Sequence, residues 1–481
     1  MPETPILPPR LPDAPPPVPP PSAEPPPGRD DGPARDLIGR SPPRSSSAFA
    51  VLVMLLAVSL TASTVLAVRL ADVAADAAGQ RARADELRNE VERLRSSPPP
   101  ASQSPGAVGE GPIADLAAAV ARLRGLAFKT PVAPEVLTPA ELRRRIEADF
   151  IKEQSRAEID RTDRVLTTLG LLAPGDDLFD ILRGVHTEQV AGYYDSDRKK
   201  LVVSGTAGNL TPYDRVLTAH ELVHALTDQH FSLSKLDSLQ QERKDDEATA
   251  YQALIEGDAT LMMLLYRDRV LTPREQQQLE AQASEETSPL LDAAPAVVRK
   301  ALLFPYDRGA LFASSLFQRG GTAAIDRAYR QPPTSTEQIL HPQKFLQRDD
   351  PEAVSLPNVA AALGSSWREL DEGGAGELDI QLIADQFLPE DDARAAAEGW
   401  DGGRYRALWS GSKTIVVTST VWDTADEARE AADFLTEWLR PRFGGNGAAY
   451  RSGAAAGWES PQGTAEVARS GQSVVFIVGS D

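Results

Sequence analysis

His220-Glu221-Leu222-Val223-His224 is the stretch that decides how this chain is read. Two histidines four apart lie one turn apart on one face of an α-helix, so both imidazoles can reach a single Zn²⁺. Glu221, next to the first histidine, can lie beside a water on that ion and take its proton. The chain has only five histidines, His186, His220, His224, His230 and His341. At that scarcity the pattern arises by chance in well under ~1 % of such chains. The competing reading is an amphipathic core helix with two incidental histidines.

The flanking residues predict a helix. Thr211 can cap it, Pro212 suits the first helical position, and Asp214 falls in the first turn. Val216, Leu217, Leu222, Val223, Ala225 and Leu226 supply apolar flanks. Upstream, Gln189–Asp195 and Lys200–Ser204 are two β-rich runs around the polar turn 196–199, which predicts a hairpin. A strand edge ahead of such a helix is where zinc peptidases hold an extended substrate, by strand pairing.

A catalytic zinc needs a third protein ligand and one open position. His230 is six residues after His224, but Thr227 stands where a helix-breaking glycine would be needed. In a continuous helix six residues turn about 600°, which carries His230 away from the metal. Glu256 lies in a second predicted helix, from about 245 to 267, among Ala253, Leu254, Ile255, Ala259 and Leu261. A carboxylate in that setting calls for a partner. A glutamate ligand on an antiparallel second helix is the arrangement of gluzincins. Glu247, nine residues earlier, faces nearly the opposite side. Glu256 is the favoured third ligand and His230 its rival.

His-Glu-Leu-Val-His-Ala-Leu-Thr-Asp-Gln-His-Phe at 220–231 and Glu-Gly-Asp-Ala at 256–259 resemble a group of bacterial membrane-anchored proteins of zinc-metallopeptidase type. Gln-Val-Ala-Gly-Tyr-Tyr-Asp at 189–195 and Ser-Thr-Glu-Gln-Ile-Leu-His-Pro at 335–342 extend the resemblance over about 120–345. At longer range the stretch is similar to the aminopeptidase-N branch of gluzincins. In that branch a Tyr-x-x-Gly segment supplies an oxyanion donor. Pro305-Tyr306-Asp307-Arg308-Gly309 matches it, and the resemblance implies Tyr306 in that role. The glutamate by which those aminopeptidases hold a free amine has no counterpart in Ala191–Asp195, which favours an endopeptidase.

The formal net charge of -20 argues against nucleic-acid partners and against anionic lipid on the globular part. With no cysteine, thiol catalysis, Cys-ligated zinc and disulfides are excluded. Residues 1–46 hold 17 of the 39 prolines and read as a disordered, polyproline-type spacer. Residues 48–68 carry no charge over 21 positions, about the ~30 Å of a bilayer core. A single-pass anchor is expected there, with the large C-terminal part outside the cell. Leu70, Val73, Ala77, Gln80, Ala84, Leu87, Val91 and Leu94 repeat at 3-4 spacing, either a solvated helical stalk or a coil that self-associates into a homo-oligomer.

The expected fold is α+β. A mainly helical zincin-like domain (112–350) with a β-hairpin edge follows a transmembrane helix (47–68), a helical stalk (69–96) and a linker (97–111). A second linker (351–376) leads to a small α+β module (377–481). The expected activity is a membrane-anchored zinc peptidase acting on peptides or proteins. His220, His224 and Glu256 hold Zn²⁺, Glu221 is the general base, and Tyr306, with His341 as the alternative, is the oxyanion donor. The rivals are a non-catalytic membrane sensor or scaffold, and a metal-dependent hydrolase of a non-peptide bond.

Overall fold

The structure is a computed structural model that describes residues 111–188, 192–205, 210–444, 448–452 and 455–480. The expected tail, membrane span and stalk, and all but Gly111 of the first linker, lie outside the described residues. No helix among the described residues is long and apolar enough to cross a membrane.

The chain runs α1 (Pro112–Arg124), β1 (Pro134–Leu137), α2 (Pro139–Glu153), α3 (Arg156–Leu169) and α4 (Leu178–Glu188). The hairpin β2 (Gly192–Asp195) and β3 (Lys200–Ser204) leads to α5 (Pro212–Phe231), α6 (Lys235–Gln241) and α7 (Asp245–Val270). Then come α8 (Pro273–Glu285), α9 (Pro289–Ala293), α10 (Ala296–Arg330), α11 (Thr336–Leu340), α12 (Pro342–Gln347) and α13 (Val359–Leu363). The C-terminal part is β4 (Arg368–Gly374), α14 (Glu377–Ala384), α15 (Glu390–Ala397), β5 (Trp400–Ser410), β6 (Lys413–Trp422) and α16 (Ala425–Phe443), then β7 (Ala448–Ser452), β8 (Ala455–Ser460), β9 (Gly463–Ser470) and β10 (Ser473–Ser480). The architecture is α+β.

Local chemistry sets the helix that matters most. Thr211 accepts from the Asp214 N–H at 3.2 Å while Asp214 accepts from the Thr211 N–H at 2.9 Å, a reciprocal cap with Pro212 at the first helical position. The same device starts α2 at Thr138 and α8 at Thr272. Helix α5 then runs unbroken through His230, since nothing at Thr227 interrupts it. Thr227 instead returns its hydroxyl to the Val223 carbonyl at 2.9 Å.

The small sheet has the order β1-β3-β2, with β1 parallel and β2 antiparallel to β3. Leu142, Ile146, Tyr193 and Val202 form a separate buried cluster that fixes this sheet to α2. The large sheet is antiparallel throughout, in the order β4-β5-β6-β10-β9-β8-β7. Helix α16 covers it through Ala428, Ala431, Leu435 and Leu439, buried at helical spacing. One continuous apolar cluster joins α5, α7 and α10 to Tyr405, Trp422 and Phe476 of that sheet.

Candidate metal centre

Three elements meet at the site. Helix α5 presents His220 and His224, α7 presents Glu256, and α10 presents Tyr306; all four are buried. The donor atoms form a small triangle. His220 Nε2 lies 3.1 Å and His224 Nε2 3.3 Å from Glu256 Oε2, and the two nitrogens are 2.9 Å apart. Ligands held ~2.0–2.1 Å from a tetrahedral ion sit ~3.3 Å from one another. Two imidazoles and one carboxylate, converging at that spacing, therefore fit a zinc ion and leave it an open position. His220 Nδ1 is buried without a hydrogen-bond partner among the described residues, so the acceptor that usually orients a ligating imidazole is missing from this set.

Charge at the cluster is shared. Burial opposes ionisation of Glu256, yet the His224 and His220 rings hold its carboxyl down to about 2. Burial likewise opposes protonation of His224, and the Glu256 carboxylate overrides it, raising the ring to about 9. A cation in place of the shared proton would satisfy the same carboxylate.

Glu221 points to the same place but is not one of the three converging donors. Its Oε2 accepts the Tyr194 backbone N–H at 2.9 Å. Burial raises its pKa above the ordinary carboxylate value, opposed mainly by the neighbouring histidines. The Tyr194 bond also orients the hairpin. Tyr194 faces Leu201 across the ladder, and its N–H leaves the sheet toward Glu221, so the edge of β2 away from β3 runs past that carboxylate. Tyr194 Oη donates to Asp228 Oδ2 at 2.7 Å, and Lys199 Nζ donates to the same oxygen at 2.6 Å. Asp228 sits one turn beyond His224 and so clamps the hairpin to the histidine helix.

The ring of Tyr306 lies over His220, with centroids 6.2 Å apart and 27° between planes. Burial, then the Glu256 and Glu221 charges, push its pKa far up, so the phenol keeps its proton and remains a donor. What brings Tyr306 to the cluster is a close helix crossing. Gly257 of α7 and Gly309 of α10 meet backbone to backbone. A Cβ on Gly257 would overlap the Gly309 carbonyl, and one on Gly309 would overlap the Ala253 carbonyl. Glu256 and Tyr306 flank that crossing. Helix α7 is fixed on its other side by Arg124, whose Nε donates to Asp258 at 2.9 Å.

The rival residues lie elsewhere. His230 Nε2 is 2.8 Å from the Ala127 carbonyl, and His341 Nε2 is 2.9 Å from Glu377. Glu247 is beside Lys235 and Lys244, at 3.7 and 3.8 Å. Sequence reasoning missed Asp228, Tyr194 and the two crossing glycines. Gly257 did carry a signal, since a glycine in mid-helix is unfavourable unless a neighbour needs the space.

A family described as "Domain of unknown function (DUF8575)" matches residues 363–481, from the end of α13 to the C-terminus and clear of the metal-site residues. Comparison with curated proteins and with solved structures finds no match.

Proposed function

We propose that the chain is a zinc-dependent peptidase with a zincin-like catalytic half, acting as an endopeptidase. The observation that supports this most is the convergence of His220, His224 and Glu256 with Glu221 beside them and outside the donor set. Zinc held by those three side chains supplies a Lewis acid that acidifies water and withdraws charge from a carbonyl. Glu221 Oε takes the proton of the attacking water and passes it to the leaving amine. Tyr306 Oη donates to the oxygen that becomes negative. The edge of β2 away from β3, where the Tyr194 N–H exchanges Glu221 for a substrate carbonyl, pairs with an extended peptide and sets its register against Glu221. Residues 48–68 anchor the chain with this half outside the cell. Protease shaving of intact cells then removes a C-terminal tag, and a tag protected until lysis refutes that orientation.

The deciding experiment measures zinc content and casein cleavage of the purified chain, with and without chelator. The expected result is about one zinc per chain, chelator-sensitive cleavage, and loss of at least ~10²-fold in rate with zinc retained in Glu221→Gln. Less than ~0.2 equivalents of zinc after loading refutes the site. Zinc retention without cleavage points to the sensor or scaffold reading, and equal cleavage by Glu221→Gln refutes the mechanism.

A further inference from the structure

Tyr194 touches the histidine helix at two places. Its N–H donates to Glu221 Oε2 at 2.9 Å, and its hydroxyl donates to Asp228 Oδ2 at 2.7 Å. Glu221 and Asp228 are two turns apart on α5 and so share a face. The hydroxyl contact is shared with other donors. Asp228 is buried and also takes the Lys199 ammonium at 2.6 Å and the Leu233 N–H at 3.1 Å. The N–H contact, by contrast, is a single bond.

The ladder leaves that N–H available. Among the described residues β2 is an edge strand, paired with β3 alone. In an antiparallel pair, successive residues turn their N–H groups alternately toward the partner strand and away from it. The Tyr194 N–H turns away, so taking it from Glu221 breaks no ladder bond. It carries one proton. Glu221 and the carbonyl of a peptide laid along this edge therefore compete for it. A buried carboxylate that loses a donor takes another. With a peptide on the edge, the O–H of the attacking water is the donor on offer.

We propose that Tyr194 makes the base substrate-gated. Its N–H holds Glu221 until the carbonyl of an extended peptide takes that N–H, while its hydroxyl on Asp228 keeps the strand docked. The inference rests on the peptidase reading above and goes beyond it. The scissile carbonyl belongs to Tyr306 in that reading, so the carbonyl on Tyr194 comes from a neighbouring residue. The preferred substrate is then an extended internal stretch of polypeptide. A short peptide that ends before that carbonyl leaves the base held.

Two readouts test the gate. Both use an eight-residue casein fragment that spans a bond cut by the zinc-loaded full chain, and a series truncated one residue at a time from each end. The first readout needs neither metal nor turnover. The zinc-free full chain, labelled with ¹⁵N-tyrosine, carries nine labelled residues, and Tyr194→Phe assigns the Tyr194 amide by its loss. That resonance should move on titration with the octapeptide and stay in place with the member that lacks the paired carbonyl. The second readout is kcat along the series. It should fall in one step on the order of 10–100-fold, the worth of one hydrogen bond to a charged group. Tyr194→Pro removes the N–H without touching the ladder, and Tyr194→Ala removes the hydroxyl but keeps the N–H. The step should vanish in the first and persist in the second. Cleavage without a step, a step unchanged in Tyr194→Pro, or a Tyr194 amide unmoved by the octapeptide overturns the gate and leaves the peptidase reading standing. A zinc-loaded chain that cuts no casein refutes both.

Discussion

At the scale of single residues, the proposed site would separate holding a metal from moving a proton. His220, His224 and Glu256 converge within 3.3 Å of one another, while Glu221 turns toward the Tyr194 N–H. His224→Ala should therefore lose the metal, whereas His230→Ala should keep it, because His230 is spent on the Ala127 carbonyl. Metal analysis of the two purified variants checks this, and the reverse pattern would move the third ligand to His230. Tyr306 is a different case. Its buried phenol stays protonated, so Tyr306→Phe removes one donor and little volume. The expected loss is on the order of 10–10³-fold in kcat with KM nearly unchanged, as for a bond made mainly in the transition state. A change in KM alone would make Tyr306 a packing residue. The motif histidines and Glu256 were readable because rare or misplaced polar residues stand out in an apolar pattern. Asp228 was not. An aspartate near a helix end looks like an ordinary solvated residue, and only the hairpin brings Tyr194 and Lys199 to it.

At the scale of elements, the cluster exists because α5, α7 and α10 cross closely. The contact of Gly257 with Gly309 sets how near Tyr306 comes to Glu256. Gly309→Ala puts a methyl group into the Ala253 carbonyl, so the two helices must separate. Overpacking of this kind typically costs ~1–3 kcal/mol. The expected outcome is a lower thermal midpoint and a further drop in kcat at temperatures where the fold is intact. Gly321→Ala, where φ is +60° and a Cβ meets open space, is the control: backbone strain without displacement of Tyr306. If both variants lose stability alike and kcat is untouched in each, the crossing does not position the tyrosine. Elements with strong local signals were readable. The cap of α5 and the β2–β3 hairpin follow from turn residues and periodicity. Strands β4, β7 and β8 were not. Arg-Glu-Leu-Asp-Glu-Gly-Gly at 368–374 shows no apolar alternation, and Ala455–Ser460 is mostly small residues, so pairing with neighbours creates these strands.

At the scale of the molecule, the helical half and the large sheet meet along a seam of buried and half-buried carboxylates. The stretch 335–342, already marked out in the sequence, forms its middle. Asp246 of α7 accepts the Thr336 N–H at 3.1 Å and the Thr336 hydroxyl at 2.6 Å. Glu337 accepts from Lys344 at 2.5 Å, and Glu377 lies 2.9 Å from His341 Nε2. Read in sequence these are ordinary charged positions; in the fold Glu337 and Glu377 are buried and Asp246 is half-buried. Burial pushes Asp246 up to about 7 and Glu337 up to about 8, and it raises Glu377 and Asp379 as well. Between their ordinary values, 3.8 and 4.5, and those raised ones, Asp246 and Glu337 hold protons in the fold that the unfolded chain has released. The folded state then binds more protons, so this contribution to stability is full at low pH and is lost as pH climbs through about 7 and 8. His341, raised by Glu377 against its own burial, acts in the same direction. Urea unfolding followed by tryptophan fluorescence should give a lower midpoint at pH ~8.5 than at pH ~5.5. Asp246→Asn cannot ionise and keeps one oxygen for Thr336, so it should flatten that dependence. A midpoint that rises between the two pH values, or a slope unchanged in Asp246→Asn, would show that these carboxyls are ionised in the fold and that the seam does not depend on their protons.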